Sequence, residues 1–327
     1  MHVLLTGVTG FIAHRIAHDL LTAGHHVRGS LRDMGRADDV RSSMPTDATD
    51  RLDFVELTLD DDTGWAAAAQ GMDAVVHTAS PFPIAQIVPD PQTVIRPAVD
   101  GTLRALRAAR DAAVKRVVLT SSTVAITNGP RPENRKRDER DWSTPDHPNA
   151  NAYVRSKTEA ERAAWDFAKE HGLDLTSINP GFVLGPPLGA ERNTSLKVVE
   201  RLMSGKDPMV PPIAFETVDV RDVSRAHVSA LTAPDSIGER FALVAGTLWF
   251  SDIADIAADL LPGRKIPKRT APRLLIRALS LFDPALKGIV PILGRNDPVS
   301  GDKAARTFGI DWISPRDAAR ASVEALA

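Results

Sequence analysis

The chain has 327 residues, 43% hydrophobic and 25% charged, the proportions of a folded globular protein with a core of ordinary size. Forty basic against forty-two acidic side chains leave a net charge of −2, which supplies no basic field for nucleic acid or an anionic membrane. Cysteine is absent, so disulfides, zinc–thiolate sites, iron–sulfur ligation and thiol catalysis are excluded together.

No signal peptide is expected, because strand-like residues begin at His2 with no basic stretch and long apolar run before them. No membrane span is expected either. The longest apolar stretch, 274–293, is broken by Arg277, Asp283, Pro284, Lys287 and Pro291. The expected location is the cytoplasm.

In chain order, a short apolar run at 3–5 passes through a turn into an amphipathic helix over 11–23. Phe11, Ile12, Ile16, Ala17, Leu20 and Leu21 form its apolar face, His14, Arg15, His18 and Asp19 its polar one, and Gly24 closes it. The turn reads Thr6-Gly7-Val8-Thr9-Gly10-Phe11-Ile12-Ala13. Such a turn uses one glycine to reverse tightly and a second to let backbone approach a pyrophosphate at the helix N-terminus. A third small residue, here Ala13, allows close helix–sheet packing. The alternative is a purely structural turn, but the placement after a strand and before a helix favours dinucleotide binding.

The next strand, 26–31, ends in Val27-Arg28-Gly29-Ser30-Leu31-Arg32-Asp33, with Arg36 close behind. An acid at that strand end would bind the ribose 2′-hydroxyl of NAD, whereas an arginine accepts the 2′-phosphate of NADP. Arg32 is the candidate clamp. A solvated arginine in a charged loop is the other reading, and Asp33 keeps NAD in play.

Further strands are predicted at 53–57, 74–78, 116–120 and 173–179, with helices around 65–69, 93–113 and 152–171. This alternation predicts an α/β fold, a doubly wound parallel (Rossmann) sheet binding its ligand at the carboxyl ends of the strands. After Pro180, prolines punctuate the chain, with a short strand at 240–244 and helices over 251–327. The expected division is a dinucleotide-binding domain over 1–180, rejoined by 216–250. A smaller, mostly helical substrate lobe is expected from 181–215 and 251–327.

The chain's one tyrosine, Tyr153, precedes Lys157 by four residues on a predicted helix, so the two share a face. A nearby ammonium favours the phenolate and makes the hydroxyl a usable acid–base. With ten lysines in 327 residues, Lys at that offset is rarely chance. The strand at 116–120 delivers Ser121 and Ser122 to the same sheet edge, where a serine hydroxyl can hold the substrate oxygen.

Taken together, these segments resemble the extended short-chain dehydrogenases/reductases, in particular the branch of dihydroflavonol 4-reductases, cinnamoyl-CoA reductases and microbial carbonyl reductases. The likeness covers nearly the whole chain. It continues through Val76-His77-Thr78-Ala79-Ser80-Pro81-Phe82, Thr120-Ser121-Ser122, Tyr153-Val154-Arg155-Ser156-Lys157, Asn179-Pro180-Gly181-Phe182-Val183-Leu184-Gly185-Pro186 and Val218-Asp219-Val220-Arg221-Asp222-Val223. The resemblance implies that Ser122 orients a carbonyl, Tyr153 is the acid–base, and Lys157 binds the nicotinamide ribose while lowering the Tyr153 pKa. It implies a cofactor site of Gly7, Thr9, Gly10, Phe11, Ile12, Arg32, Arg36, Thr58, Leu59, Thr78, Ala79, Ser80, Thr120, Pro180, Gly181 and Val183, together with Tyr153 and Lys157. Ser80, Phe82, Ser122, Val124 and Tyr153 would meet the substrate.

Three positions depart from the family pattern. Thr58 stands where an Asp usually meets the adenine, which gives the Leu59 backbone more to do. Ala98 replaces an Asn of a proton relay. Thr127 replaces an Asn of plant flavonoid reductases, which argues against a dihydroflavonol substrate.

The implied activity is NADPH-dependent reduction of an aldehyde or ketone, with NAD(H) the less expected cofactor. Apolar second-lobe segments at 194–203, 208–215 and 274–282 suit a hydrophobic or aromatic carbonyl compound. A nucleotide-sugar epimerase or dehydratase is the alternative, with Arg192, Lys197 and Arg201 available for a diphosphate. A redox-sensing binding protein is a third reading. The expected partner is a small-molecule substrate, with no nucleic acid and no membrane, in a monomer or homodimer. His14 and His18 lack a third ligand, so no metal is expected. The mixed-charge run 131–141 is expected to be a solvated loop, and Asp60, Asp61 and Asp62 suit a helix N-terminus.

Overall fold

The computed structural model describes residues 1–81, 90–147, 150–191 and 193–327. Leucine- and valine-rich runs, buried on both faces, build the centre of a parallel sheet. Its strands are β1 (His2–Thr6), β2 (His26–Leu31), β3 (Leu52–Glu56), β4 (Ala74–His77), β5 (Arg116–Thr120) and β6 (Asp174–Pro180). Three short strands follow: β7 (Phe182–Leu184), β8 (Ala214–Asp219) and β9 (Arg240–Leu243), and β10 (Gly246–Trp249) is the last. The seven-stranded sheet runs β3-β2-β1-β4-β5-β6-β9, every pair parallel. Strand order reverses between β1 and β4, and ligands of such sheets bind in the crevice there.

Helices cover both faces. Phe11–Thr22 and Val220–Ala230 pack on one side through Ile16, Leu20, Val223 and Ala226. Gln92–Asp111 and Ala152–His171 pack on the other, where Ala105, Ala109, Ala164 and Ala168 let the two helices approach closely.

The second lobe is less purely helical than its sequence suggests. β7, β8 and β10 form a separate sheet in the order β10-β8-β7, faced by the Phe182–Phe215 stack at 4.1 Å and by Phe250. The segment 216–250 accordingly divides. Val220–Ala230 and β9 join the central layers, while most of β8 and all of β10 lie in the small sheet. Strands of three to six residues beside prolines carry too little alternation to announce themselves.

His14 also departs from expectation. Its helix position reads as polar, yet the ring is buried and hydrogen-bonded to the Ser43 hydroxyl, and burial lowers its pKa. Ser43, from the chain between β2 and β3, and Gly189, from the chain after β7, lie against it.

Candidate active site

Gly7 sits at φ +69°, a left-handed turn that favours glycine, and a Cβ there would press on Ala79 at 3.1 Å. The Ser30 hydroxyl accepts from the Gly7 amide at 2.9 Å, and Thr6 Oγ1 accepts from the amides of Thr78 and Ala79 at 3.0 and 3.1 Å. The ends of β1, β2 and β4 are thereby tied into one rim. Gly10 opens the helix Phe11–Thr22 without a side-chain cap, so its first-turn amides remain available to an anion. This rim fits a dinucleotide pyrophosphate.

Beyond β2, where the sequence places its candidate cofactor-selecting residues, the arginines differ. Arg32, one residue beyond β2, is exposed and has no hydrogen-bond or ion-pair partner among the described residues. Arg36 is engaged by Glu191, from the chain that follows β7, and lies 3.9 Å from Asp39. Asp33 turns back to accept from the Gly35 amide at 2.9 Å, capping a single helical turn. Thr58 and Leu59 use their carbonyls elsewhere, on Trp65 Nε1 and Arg104, while the Leu59 amide has no partner among the described residues.

The two candidate reacting hydroxyls come from two elements. Ser122 lies two residues past β5, buried, and accepts from the Val124 amide at 3.3 Å. Tyr153 stands in the first turn of Ala152–His171, whose N-terminus is fixed by Asn151 accepting from the Val154 amide at 2.9 Å. The Ser122 and Tyr153 hydroxyls are hydrogen-bonded to each other. Lys157, one turn on, is buried and bonds to no described residue.

The electrostatics correct one expectation. Burial pushes the Tyr153 phenol up and the Ser122 hydrogen bond draws it part of the way down, with no contribution from Lys157. The ammonium shares the phenol's helix face but is not bonded to it. Lys157 is itself pushed down to about 8 by burial, against which the charge of Glu161 acts.

Other candidates are placed unevenly. Ala79 lies against the Gly7 turn and Ser80 is half-buried beside it. The Thr78 hydroxyl donates to the Thr6 carbonyl, and Pro180 accepts from the Thr123 amide at 3.0 Å. A Cβ on Gly181 would fall 2.0 Å from the Glu216 carbonyl, so only glycine lets the chain pass. Thr120 donates its hydroxyl to His227 Nε2 at 2.8 Å, and Val183 is packed in the core, so neither side chain faces the crevice from where it stands. Phe82 and Arg192 lie outside the described residues. Arg201 is paired with Asp207 at 2.7 Å, and Leu274, Leu281 and Phe282 are exposed on the second lobe.

Sequence reasoning missed Glu161, Asn179 and Arg240. Glu161 is fully buried and accepts from Ser121 Oγ at 2.7 Å, Asn179 Nδ2 at 2.8 Å and Arg240 Nε at 2.6 Å. Its spacing was a signal: 153, 157 and 161 continue one helical stripe. Arg240 also donates to the carbonyls of Glu139 and Asp141 at 2.7 and 2.8 Å and covers Trp142 at 3.6 Å. The run 131–141 is therefore no free loop: Arg137 is buried in it, and Glu139 accepts from the Ala242 amide.

The sequence model of the NAD dependent epimerase/dehydratase family matches residues 3–246. The chain is 36% identical over 270 residues to cinnamoyl-CoA reductase 1 of Arabidopsis thaliana, covering 82% of this chain and 77% of that one. Among solved structures, yeast methylglyoxal/isovaleraldehyde reductase Gre2 complexed with NADPH matches with a TM-score of 0.82 and 25% identity, over 100% of this chain and 98% of the other. Gre2 of Candida albicans in complex with NADPH gives 0.81 and 26%, over 100% and 98%.

Proposed function

The chain belongs to the NAD dependent epimerase/dehydratase family, and from that premise we propose that it is an NADPH-dependent oxidoreductase reducing an aldehyde or ketone to the alcohol. The observation that carries this reading is the hydrogen-bonded Ser122–Tyr153 pair, with Lys157 buried one turn away, at the carboxyl end of β5, the second strand on from the strand-order switch between β1 and β4. The relatives named above are reductases, two of them solved with NADPH. Arg32, exposed beyond β2 and without a partner among the described residues, supports a 2′-phosphate; Asp33, spent on a local cap, does not compete for a ribose hydroxyl.

NADPH, when bound, supplies the hydride. Gly7, Gly10 and the open helix amides would hold its pyrophosphate, Arg32 its 2′-phosphate and Lys157 its nicotinamide ribose. Ser122 orients the carbonyl oxygen and strengthens its hydrogen bond as negative charge develops there. Tyr153, whose raised pKa keeps it protonated at neutral pH, delivers its proton to that oxygen. In this reading residues 1–180, with part of 216–250, bind the dinucleotide. The segments 181–215 and 251–327 form the substrate lobe, whose apolar character suits a hydrophobic or aromatic substrate. The protein acts in the cytoplasm as a monomer or homodimer.

The family also contains epimerases and dehydratases by its description. Against a nucleotide-sugar substrate, Arg201 is already committed to Asp207. The test is NADPH consumption across aldehydes, ketones and nucleotide sugars. Consumption with carbonyl compounds alone is expected. Conversion of nucleotide sugars without net consumption, and no carbonyl reduction, would replace the reading with the epimerase.

A further inference from the structure

Glu161 has no chemical step in the proposed reduction, yet more protein is spent on it than on any of the three reacting side chains. Its Oε2 accepts from Ser121 at 2.7 Å and Asn179 at 2.8 Å, and its Oε1 accepts from Arg240 at 2.6 Å and Trp165 Nε1 at 3.4 Å. These donors come from the end of β5, from β6, from β9 and from Glu161's own helix, so the carboxylate cannot swing. A partner for Arg240 alone could sit anywhere along the helix. This one sits one turn beyond Lys157, on the Tyr153–Lys157 stripe.

Lys157 and Glu161 both line a small cavity of about 10 Å³, together with His77, Thr102 and Ser121. That is room for one water, in walls polar enough to bind it. His77 holds Thr6 Oγ1 with Nδ1 at 2.9 Å, while its buried Nε2 has no partner among the described residues. We infer that Glu161 is a positioning residue for Lys157: clamped by four neighbours, it faces the ammonium across this cavity, through a single water shared with His77, and holds both its place and its charge. The inference deepens the reductase reading and rests on it for its catalytic meaning.

Few charges compete. Tyr153 and Glu161 flank Lys157 on its own helix. From β4 comes His77, held neutral with its pKa at about 3 by burial and by Lys157 itself. From the Gln92–Asp111 helix comes Thr102 and from the end of β5 Ser121, while Arg240 on β9 reaches Glu161 on its other side. Glu161 is thus the acid that opposes the burial of Lys157, which already stands at about 8. Without that carboxylate the lysine loses its proton at still lower pH.

The experiment is carbon NMR of the full chain labelled at lysine Cε, titrated without cofactor, with Lys157→Arg identifying one resonance among ten lysines. Glu161→Gln is expected to move the Lys157 midpoint down by about one pH unit or more. Arg240→Gln breaks the same ion pair but leaves the carboxylate, so it is expected to leave the midpoint in place or raise it. Both weaken the fold, and a purely structural role would move both alike. An unmoved midpoint in Glu161→Gln, or an equal fall in both variants, overturns the inference. If Glu161→Gln does not fold, the double variant Glu161→Gln/Arg240→Met, which leaves no buried guanidinium without its carboxylate, carries the same expectation. In turnover, the alkaline limb of carbonyl reduction follows the midpoint down in Glu161→Gln and recovers part of the way in Glu161→Asp. A wild-type protein that reduces no carbonyl compound would sink the reductase reading, while the titration still decides the role of Glu161.

Discussion

The two ends of the proposed cofactor crevice are built differently. At the reacting end, Ser122, Lys157 and Glu161 are buried, and Tyr153 is half-buried on a helix whose first turn is capped. Their positions are fixed by β5, β6, β9 and one long helix. At the cofactor-selecting end, Arg32 is exposed and Arg36 is held by Glu191, both on short irregular segments after β2. Chemistry that needs a proton placed to a fraction of an ångström is mounted on regular elements packed from both sides. In the proposed reading, choice between two dinucleotides needs only one charge near a phosphate, which an exposed arginine can supply.

If that contrast is right, damage at the two ends differs in size and in kind. The largest loss belongs to Tyr153→Phe, which should lower kcat by about 10²-fold or more while leaving NADPH affinity nearly unchanged. Steady-state kinetics with a fluorescence titration of NADPH checks both halves. Near-normal turnover would remove Tyr153 from the mechanism. Ser122→Ala should come next, lowering kcat by about 10²-fold with a smaller change in KM, because its hydrogen bond strengthens as charge develops. Ser121→Ala should be milder, since that hydroxyl serves Glu161.

The pH dependence belongs to the same end. Of the two protonated groups that the proposed reduction needs, Lys157 titrates first as pH rises, at about 8, because burial raises Tyr153 and lowers Lys157. Reduction should therefore fall above about pH 8, as the ammonium is lost. Alcohol oxidation needs the phenolate, whose small fraction grows with pH below the raised Tyr153 midpoint. It should therefore rise from about pH 6 to 8, where reduction is flat, before loss of the Lys157 ammonium limits it too. Rates in both directions from about pH 6 to 10 would show the contrast. Parallel profiles would contradict these assignments.

At the exposed end, Arg32→Ala should weaken NADPH by roughly 10- to 150-fold, the worth of a charge-assisted hydrogen bond, and leave NADH almost untouched. Equal loss for both would mean that Arg32 supports its loop. The smallest effect is assigned to Glu191→Ala. Freeing Arg36 from its half-exposed partner should tighten NADPH by up to about fivefold. Weaker binding in that variant would make the Arg36–Glu191 pair part of the site's support.

Legibility in the sequence follows the same division. The sheet, the Gly7–Gly10 turn and the Tyr153–Lys157 spacing were readable because each is local: period, turn chemistry and an i,i+4 offset fall within one window. Glu161 lay in such a window too, but its meaning depends on Arg240, 79 positions away, and on Asn179. Arg36 looked free until Glu191, 155 positions on, was placed beside it. His14 read as polar because its helix shows four polar residues on that side, and only the fold brings Ser43 and Gly189 against it. The small sheet stayed hidden because β7 has three residues, fewer than any period can reveal. Thr120 misled differently: it stands at the strand end as expected, but its hydroxyl turns to His227.

The most direct test of this chemistry follows the hydride itself. The protein is incubated with NADPH carrying deuterium at C4 of the nicotinamide, in each of its two stereoisomeric forms, and an apolar aryl aldehyde. Mass spectrometry of the alcohol should find one deuterium on the carbinol carbon from one form and none from the other, with one NADPH consumed per alcohol formed. An alcohol without deuterium from either form, or no alcohol at all while nucleotide sugars interconvert with no net loss of NADPH, would contradict it.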